Sequence, residues 1–304
     1  MASNIEWELY RAFLGVLRAG SLSGAARELG VAQPTVGRHV AALEAALGLV
    51  LFTRSQTGLL PTEAAFALRA HAEAMESTAA ALERTASGLR DGAEAVAGTV
   101  RISVSEVVGV EVMPAIVADL ARRHPALKVE LVLSNRVHDL LQREADIAVR
   151  MTPPRQEQLV ARRVGAIELG LHATSDYLHR RGTPATLDDL GSHALIGYDR
   201  PTPFVRQAAK ALPGFARDRF ALRTDSDVAQ LALMRAGAGI GVCQVPLAAR
   251  APGLVRVLPD AFTFRLETWV TMHEDLRASP RCRVAFDALV AGVEDYIGGD
   301  QSAP

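Results

Sequence analysis

Residues 21–43 read SLSGAARELGVAQPTVGRHVAAL, and their punctuation predicts two short helices joined by a tight turn. Ser23 is placed to cap a helix over Gly24–Leu29. Gly30 suits the left-handed residue that ends a helix. Val31 begins the turn. Pro34 falls in the first turn of the next helix, where its missing N–H costs nothing. Ala26, Leu29, Val31, Val36, Val40 and Leu43 supply an apolar seam, and small Ala26 lets the two backbones approach. The second helix then exposes Gln33, Thr35, Arg38 and His39 in its N-terminal half, the end that enters the major groove in a helix-turn-helix. Gln can pair with adenine and Arg with guanine, while Thr can touch a base or a phosphate. A helical hairpin in an ordinary core is the competing reading. The placed Pro and the polar exposed face favour duplex DNA.

The surrounding chain has 304 residues, 49% apolar and 22% charged, enough for two or three domains with real cores. No apolar run is long enough for a membrane span. The opening residues lack the basic region and apolar core of a secretion signal, so a cytoplasmic, non-membrane protein is expected. Cys243 and Cys282 lie far apart in sequence, which argues against a disulfide framework and for buried structural thiols rather than a redox switch. Net charge is −1, so no global basic field announces nucleic acid and the case rests on the local motif.

Three textures follow one another. Residues 1–61 are short, periodic and turn-punctuated. Residues 62–92 are rich in Ala and Glu without Pro and predict one long linker helix. Within it Leu68, Met75, Leu82 and Leu89 recur every seven residues, as do Ala65, Ala72, Ala79 and Ala86 three positions earlier. This is a seam for a dimerising helix; the alternative is a helix packed on its own domain. Gly92 and Gly98 bracket a small-residue linker. Beyond it, strands are predicted over Val100–Val104, Lys128–Leu133, Asp146–Val149, Leu169–Ala173 and Glu267–Met272. Helices are predicted over Val110–Arg123, Ser226–Ala236 and Pro280–Ile297. That alternation predicts an α/β domain with mostly parallel strands over 93–304.

The stretch Tyr10–Ala65 resembles the LysR-type transcriptional regulators. The residues that carry the resemblance are Phe13, Gly20, Ser21, Ala25, Ala26, Leu29, Gln33, Pro34, Val36, Leu43, Glu44, Leu47, Gly48, Leu51, Phe52, Arg54 and Thr62. Length and the α/β remainder extend it over essentially the whole chain. Ala32 and Gly37 depart from it, standing where the family usually has Ser, and Ser55-Gln56-Thr57-Gly58 replaces a usually basic wing. Residues 1–61 hold five Arg (11, 18, 27, 38, 54) against four Glu (6, 8, 28, 44), a balance of +1. Phosphate contacts supply most sequence-independent affinity, so weak binding by the isolated headpiece is expected. The DNA-binding candidates are Ser23, Gln33, Pro34, Thr35, Arg38, His39 and Arg54.

The resemblance implies a winged helix-turn-helix, a linker helix that pairs antiparallel between subunits, and a periplasmic-binding-protein-like (type 2) effector domain. That domain would have two α/β lobes, about 98–165 with 267–304 and about 166–266, exchanging near Arg163–Glu168 and Arg265–Trp269. A small-molecule effector would lie between them. Effector candidates are Ser105, Glu106, Val107, Asn135, Arg150, Tyr198, Thr202, Thr224 and Asp225. The family commonly has Ser-Pro-Thr where this chain has Ser105-Glu106-Val107. A Glu there repels a carboxylate unless it is paired, which opens the reading of a neutral or cationic effector. The alternative is that Glu106 faces solvent or pairs with an Arg such as Arg150.

Gly237-Ala238-Gly239-Ile240-Gly241 follows a helix and precedes a strand, the reverse of a phosphate-binding loop, and predicts a tight turn. The eight His show no metal-ligand spacing, and no nucleophile motif is present. No cofactor, no metal and no enzyme activity are expected. The leading reading is a ligand-responsive, DNA-binding homodimer, with dimers pairing into tetramers. An enzyme fused to a headpiece and an architectural DNA-binding protein without a ligand are the competing classes.

Overall fold

The computed structural model of the chain describes residues 5–55, 58–90, 96–135, 145–154, 158–200, 205–206 and 216–298. Two compact units compose it, one running to Glu83 and the other starting at Arg84.

The first unit contains α1 (Trp7–Ala19), α2 (Leu22–Leu29), α3 (Gln33–Leu47), the hairpin β1 (Phe52–Ser55) and β2 (Gly58–Pro61), and most of α4 (Glu63–Arg90). Phe13, Leu14, Val16, Ala25, Ala26, Val36, Val40 and Leu43 form its core with Leu51 and Phe52. The cap of α2 is Ser21, not Ser23: Ser21 has extended backbone and its Oγ accepts from Gly24 N at 3.1 Å. Helix α2 therefore begins earlier than predicted, and Ser23 is an exposed residue within it. Gly30 is left-handed at φ 67°, and Pro34 lies in the first turn of α3, as the sequence predicts. Val31 leaves the seam and is 43% exposed, because the chain turns outward at Gly30.

The wing is held by backbone contacts. Gly58 has φ +136°, and a Cβ on it would lie 2.7 Å from Gly20 O, so only glycine fits this approach. Next to it Leu59 N donates to Gly20 O at 3.0 Å. Thr62 starts α4: its Oγ accepts from Ala65 N at 3.3 Å and donates to Val50 O at 2.8 Å.

Helix α4 corrects part of the predicted dimer seam. Ala65 and Ala72 are wholly buried in the headpiece's own core, with Leu68 packed against it, because the first turns of α4 cover α1–α3. Further along, Met75 and Leu82 are 41% and 69% exposed, with Ala79 and Ala86 half-buried. The Leu89 side chain lies outside the described ones.

The second unit holds β3 (Gly98–Val104), α5 (Glu106–Glu111), α6 (Met113–Arg123), β4 (Leu127–Leu133), β5 (Ile147–Arg150), β6 (Leu159–Thr174), α7 (Ser175–Arg181), β7 (Leu195–Gly197), β8 (Phe220–Arg223), α8 (Asp227–Arg235), β9 (Gly241–Gln244), α9 (Val245–Arg250), β10 (Leu254–Val257), β11 (Phe264–His273) and α10 (Pro280–Gly298). The main sheet runs β10-β6-β11-β5-β3-β4, with β9 also on β6. Among the described residues only β3–β4 and β3–β5 pair in parallel there; β6 pairs antiparallel with β9, β10 and β11, and β11 with β5. The expectation of mostly parallel strands is thus corrected. The long strands β6 and β11 return against each other, with an irregularity at Thr268/Trp269.

Strand β6 begins ten residues before the predicted Leu169–Ala173. It contributes Val164, Ile167 and Leu169 to one core and Leu171 and Ala173 to another. The first core also takes Val100, Ile102, Val104, Ile147 and Leu289; the second takes Tyr177, Leu195, Phe220, Ile240 and Val257. The predicted single helix Val110–Arg123 is two: α5 starts at Glu106, and the chain breaks at Val112 before Pro114, which has no N–H to continue α5.

Gly237 is left-handed at φ 71° and turns α8 toward β9, the tight turn expected there. Cys243 and Cys282 are buried free thiols; burial pushes Cys243 up to about 12 and raises Cys282 as well, so neither is a ready nucleophile.

Candidate functional site

The headpiece presents one polar face. Gln33, Pro34 and Arg38 are exposed on α3, with Thr35 and His39 half-buried beside them and Arg54 exposed on β1. The Arg38 and Arg54 guanidinium groups have no ion pair or hydrogen bond to the described residues. Their charge is free for an anionic partner. The N-cap of α3 is Ala32, without a side-chain cap bond; Pro34 has no N–H to satisfy, and Thr35 N and Val36 N turn back onto Ala32 O at 2.9 and 3.3 Å. Gln56 and Thr57 at the wing tip lie outside the described residues.

One functional residue is structural rather than a contact. Glu44 Oε1 accepts from Leu51 N at 2.7 Å and from Phe52 N at 3.1 Å, fixing the start of the wing against α3. Sequence reading placed Glu44 in the motif but gave it no role; its partners Leu51 and Phe52 lie past the end of α3, where helical periodicity says nothing.

In the second unit the predicted effector residues divide. Ser105, Glu106, Asn135, Tyr198 and Thr224 gather around the N-terminus of α8. The Glu106 carboxylate accepts from Ser226 Oγ at 3.2 Å and from Asp227 N at 3.1 Å, and Glu106 N donates to Asn135 Oδ1 at 3.1 Å. Asn135 Nδ2 and Tyr198 Oη donate to the two oxygens of Asp227, at 2.9 and 2.5 Å. Thr224 Oγ accepts from Ser226 N at 3.3 Å. Burial, with the Glu106 charge beside it, pushes the Asp227 carboxyl above its usual range, against the bonds from Tyr198 and Asn135. Burial, then the Asp227 charge, likewise raises the Tyr198 phenol.

The alternatives for Glu106 are corrected in part: it is half-buried and its Oε2 is bonded to the start of α8, and it does not pair with Arg150, whose guanidinium donates to Ser103 O at 3.0 Å and Ser103 Oγ at 2.7 Å. Val107 packs on the apolar core. Asp225 faces another way, accepting from Asp199 N and Arg200 N at 3.1 and 2.9 Å. Thr202 lies outside the described residues. The sequence reading missed Ser226 and Asp227; a Ser directly before a helix was the available signal, and Ser226 Oγ does accept from Ala229 N at 3.4 Å.

The same two helices touch again at their far ends. Glu111 closes α5 and Arg235 closes α8, and they form a bidentate pair at 2.7 Å. A cavity of about 450 Å³ opens beside this pair, lined also by Thr174, Leu247, Arg250 and Tyr296, and none of the predicted effector residues lines it.

These two pieces match two descriptions of one family. Residues 7–66 match "Bacterial regulatory helix-turn-helix protein, lysR family", and residues 93–294 match "LysR substrate binding domain". The chain belongs to the LysR family.

An HTH-type transcriptional regulator of Xanthomonas campestris pv. campestris is 29% identical over 188 residues, 60% of this LysR-family chain and 53% of the relative, so that match spans about half the relative's length. The Mau operon transcriptional activator of Paracoccus denitrificans is 28% identical over 296 residues, 97% of this chain and 99% of the relative. Full-length CbnR, solved with its target DNA, has the same fold at a TM-score of 0.63 and 21% identity, covering 94% of this chain and 99% of that one. The two relatives are transcription regulators, and the two family descriptions are of a regulatory helix-turn-helix and a substrate-binding domain rather than of an enzyme. No described helix is long and apolar enough to cross a membrane.

Proposed function

We propose that this LysR-family protein reads promoter DNA with the N-terminal half of α3 and the wing, and that a small molecule at the α8 N-terminus adjusts that reading. Gln33, Thr35, Arg38 and His39 face the bases, Pro34 shapes their helix start and Arg54 holds a phosphate. The observation that carries this is the pair of exposed guanidinium groups of Arg38 and Arg54 with no partner among the described residues.

The protein acts in the cytoplasm as a homodimer, and two dimers join into a tetramer. Two headpieces then address two half-sites and compensate for the thin charge of each. The exposed positions Met75 and Leu82, flanked by Ala79 and Ala86, support a pairing helix. Ala65, Ala72 and Leu68 serve the headpiece core instead. A two-lobed effector domain is supported by β6, which feeds one core through Leu169 and another from Leu171 onward; that change falls nearer residue 170 than 165–166, and Ile196, Leu231, Met234 and Leu247 of the expected second lobe pack in the first core.

Fluorescence anisotropy on DNA from upstream of its own gene tests the reading. Arg38→Ala weakens specific binding by about 1–3 kcal/mol and relaxes sequence preference, while Arg54→Ala weakens all sequences alike and lowers the salt slope by about 1. Unchanged affinity in both variants contradicts it.

A further inference from the structure

We propose that Glu106 sets the ligand specificity of this site by filling, with the chain's own carboxylate, the anion seat at the N-terminus of α8. The inference rests on the reading of the site as the effector site. A bound carboxylate at a helix N-terminus uses the first free N–H groups and the capping hydroxyl. Here Asp227 N and Ser226 Oγ are those donors, and both are already given to Glu106 Oε2, at 3.1 and 3.2 Å, from an element 120 residues earlier.

The helix that carries the carboxylate is held from several sides. Glu106 opens α5, and its own N–H is tied to Asn135 at 3.1 Å. The other end of α5 is fixed by the bidentate Glu111–Arg235 pair, so α5 is fastened at both ends to both ends of α8. Gly109, midway along α5, leaves no slack: a Cβ there would meet Leu133 at 2.1 Å and Val104 at 2.8 Å.

The charge around the seat also disfavours a second anion. Asp227 adds a carboxyl beside Glu106, satisfied by Tyr198 and Asn135, and neither acid has a Lys, Arg or His partner among the described residues. Ser105 Oγ, one residue before Glu106, is shielded from solvent and has no hydrogen-bond partner. An entering ligand carboxylate therefore meets an occupied seat and like charge, whereas a neutral or cationic ligand meets acceptors.

Thermal unfolding of the full-length protein in sodium acetate, against sodium chloride of equal ionic strength, tests this. The wild type is expected to melt alike in both salts. Glu106→Ala is expected to melt a few degrees lower in chloride and to regain most of that loss along a saturating acetate curve. Glu106→Gln keeps the volume and one acceptor; it is expected to melt below the wild type and to ignore acetate, and it supplies the readout if Glu106→Ala does not fold. Glu106→Gln melting with the wild type, or acetate raising the wild type as much as Glu106→Ala, overturns the proposal.

A metabolite screen on the wild type separates this claim from the one beneath it. A monocarboxylate that binds the wild type at this site overturns the role of Glu106 and leaves the site an effector site. Rescue of Glu106→Ala by acetate, with no metabolite stabilising the wild type, supports the seat and removes the effector reading.

Discussion

Arg84 and Asp146 form a buried ion pair, with Arg84 Nε donating to Asp146 Oδ2 at 3.2 Å and both side chains under a tenth exposed. Asp146 Oδ2 also accepts from Arg101 N at 2.8 Å, and Arg281 Nη2 donates to Arg84 O at 3.1 Å. The C-terminal part of α4 is thereby fastened to β3, β5 and α10. Asp146→Ala strands a buried guanidinium, and the expected loss is about 3–5 kcal/mol in urea denaturation. Replacing both partners by apolar residues, Arg84→Met with Asp146→Leu, is expected to restore most of it. A double variant as unstable as the single one contradicts this account of the pair.

Glu44 acts at one remove from DNA. Glu44→Ala leaves Leu51 N and Phe52 N without their acceptor, an expected cost of about 1–3 kcal/mol. DNA affinity is expected to fall with the wing's position while the salt slope stays unchanged, because no phosphate contact is removed. Glu44→Gln, which keeps an acceptor oxygen, is expected to recover much of both. Anisotropy across a salt series checks this.

The headpiece was legible because its signals are local. Gly30, Pro34 and the apolar positions Ala26, Val36, Val40 and Leu43 all act within a turn or two of themselves. Even there Ser23 was preferred to Ser21, since both are capping residues two positions apart and only the backbone of Ser21 is extended. The sheet was less legible. Strand β6 runs through Arg162-Arg163 and Gly165 in its first half, which mask its alternation, and its antiparallel partner β11 lies about a hundred residues away. The Glu106–Asp227 contact has no local signature, since nothing near Glu106 announces a helix N-terminus 120 residues downstream.

His172 carries a pH dependence. It is buried on β6, and burial holds its imidazole down at about 4, against the bond between Nδ1 and Gly170 O at 3.0 Å. The unfolded chain takes up this proton near pH 6.5, and the folded one only near 4. Between those values the unfolded state binds more protons, so stability falls as pH drops through the window, by about 1.4 kcal/mol per unit from this residue. Chemical denaturation at pH 7 and pH 5 is expected to show the loss, and His172→Gln is expected to flatten it. An equal loss in the variant assigns the dependence elsewhere.

Leu82 is 69% exposed on α4 and belongs to the proposed pairing face. Leu82→Asp places a charge in that face and is expected to give monomers in sedimentation velocity, with the fold intact, because Leu82 packs on neither core. A dimeric Leu82→Asp protein places the interface elsewhere.

The central claim is that α3 reads particular DNA sequences. Full-length protein can be mixed with sheared genomic DNA from its own source, recovered, and the bound fragments sequenced, alongside Arg38→Ala. The account predicts strong enrichment of a few intergenic sites by the wild type and loss of those peaks with Arg38→Ala. Uniform recovery by the wild type, or the same peaks in both proteins, contradicts it.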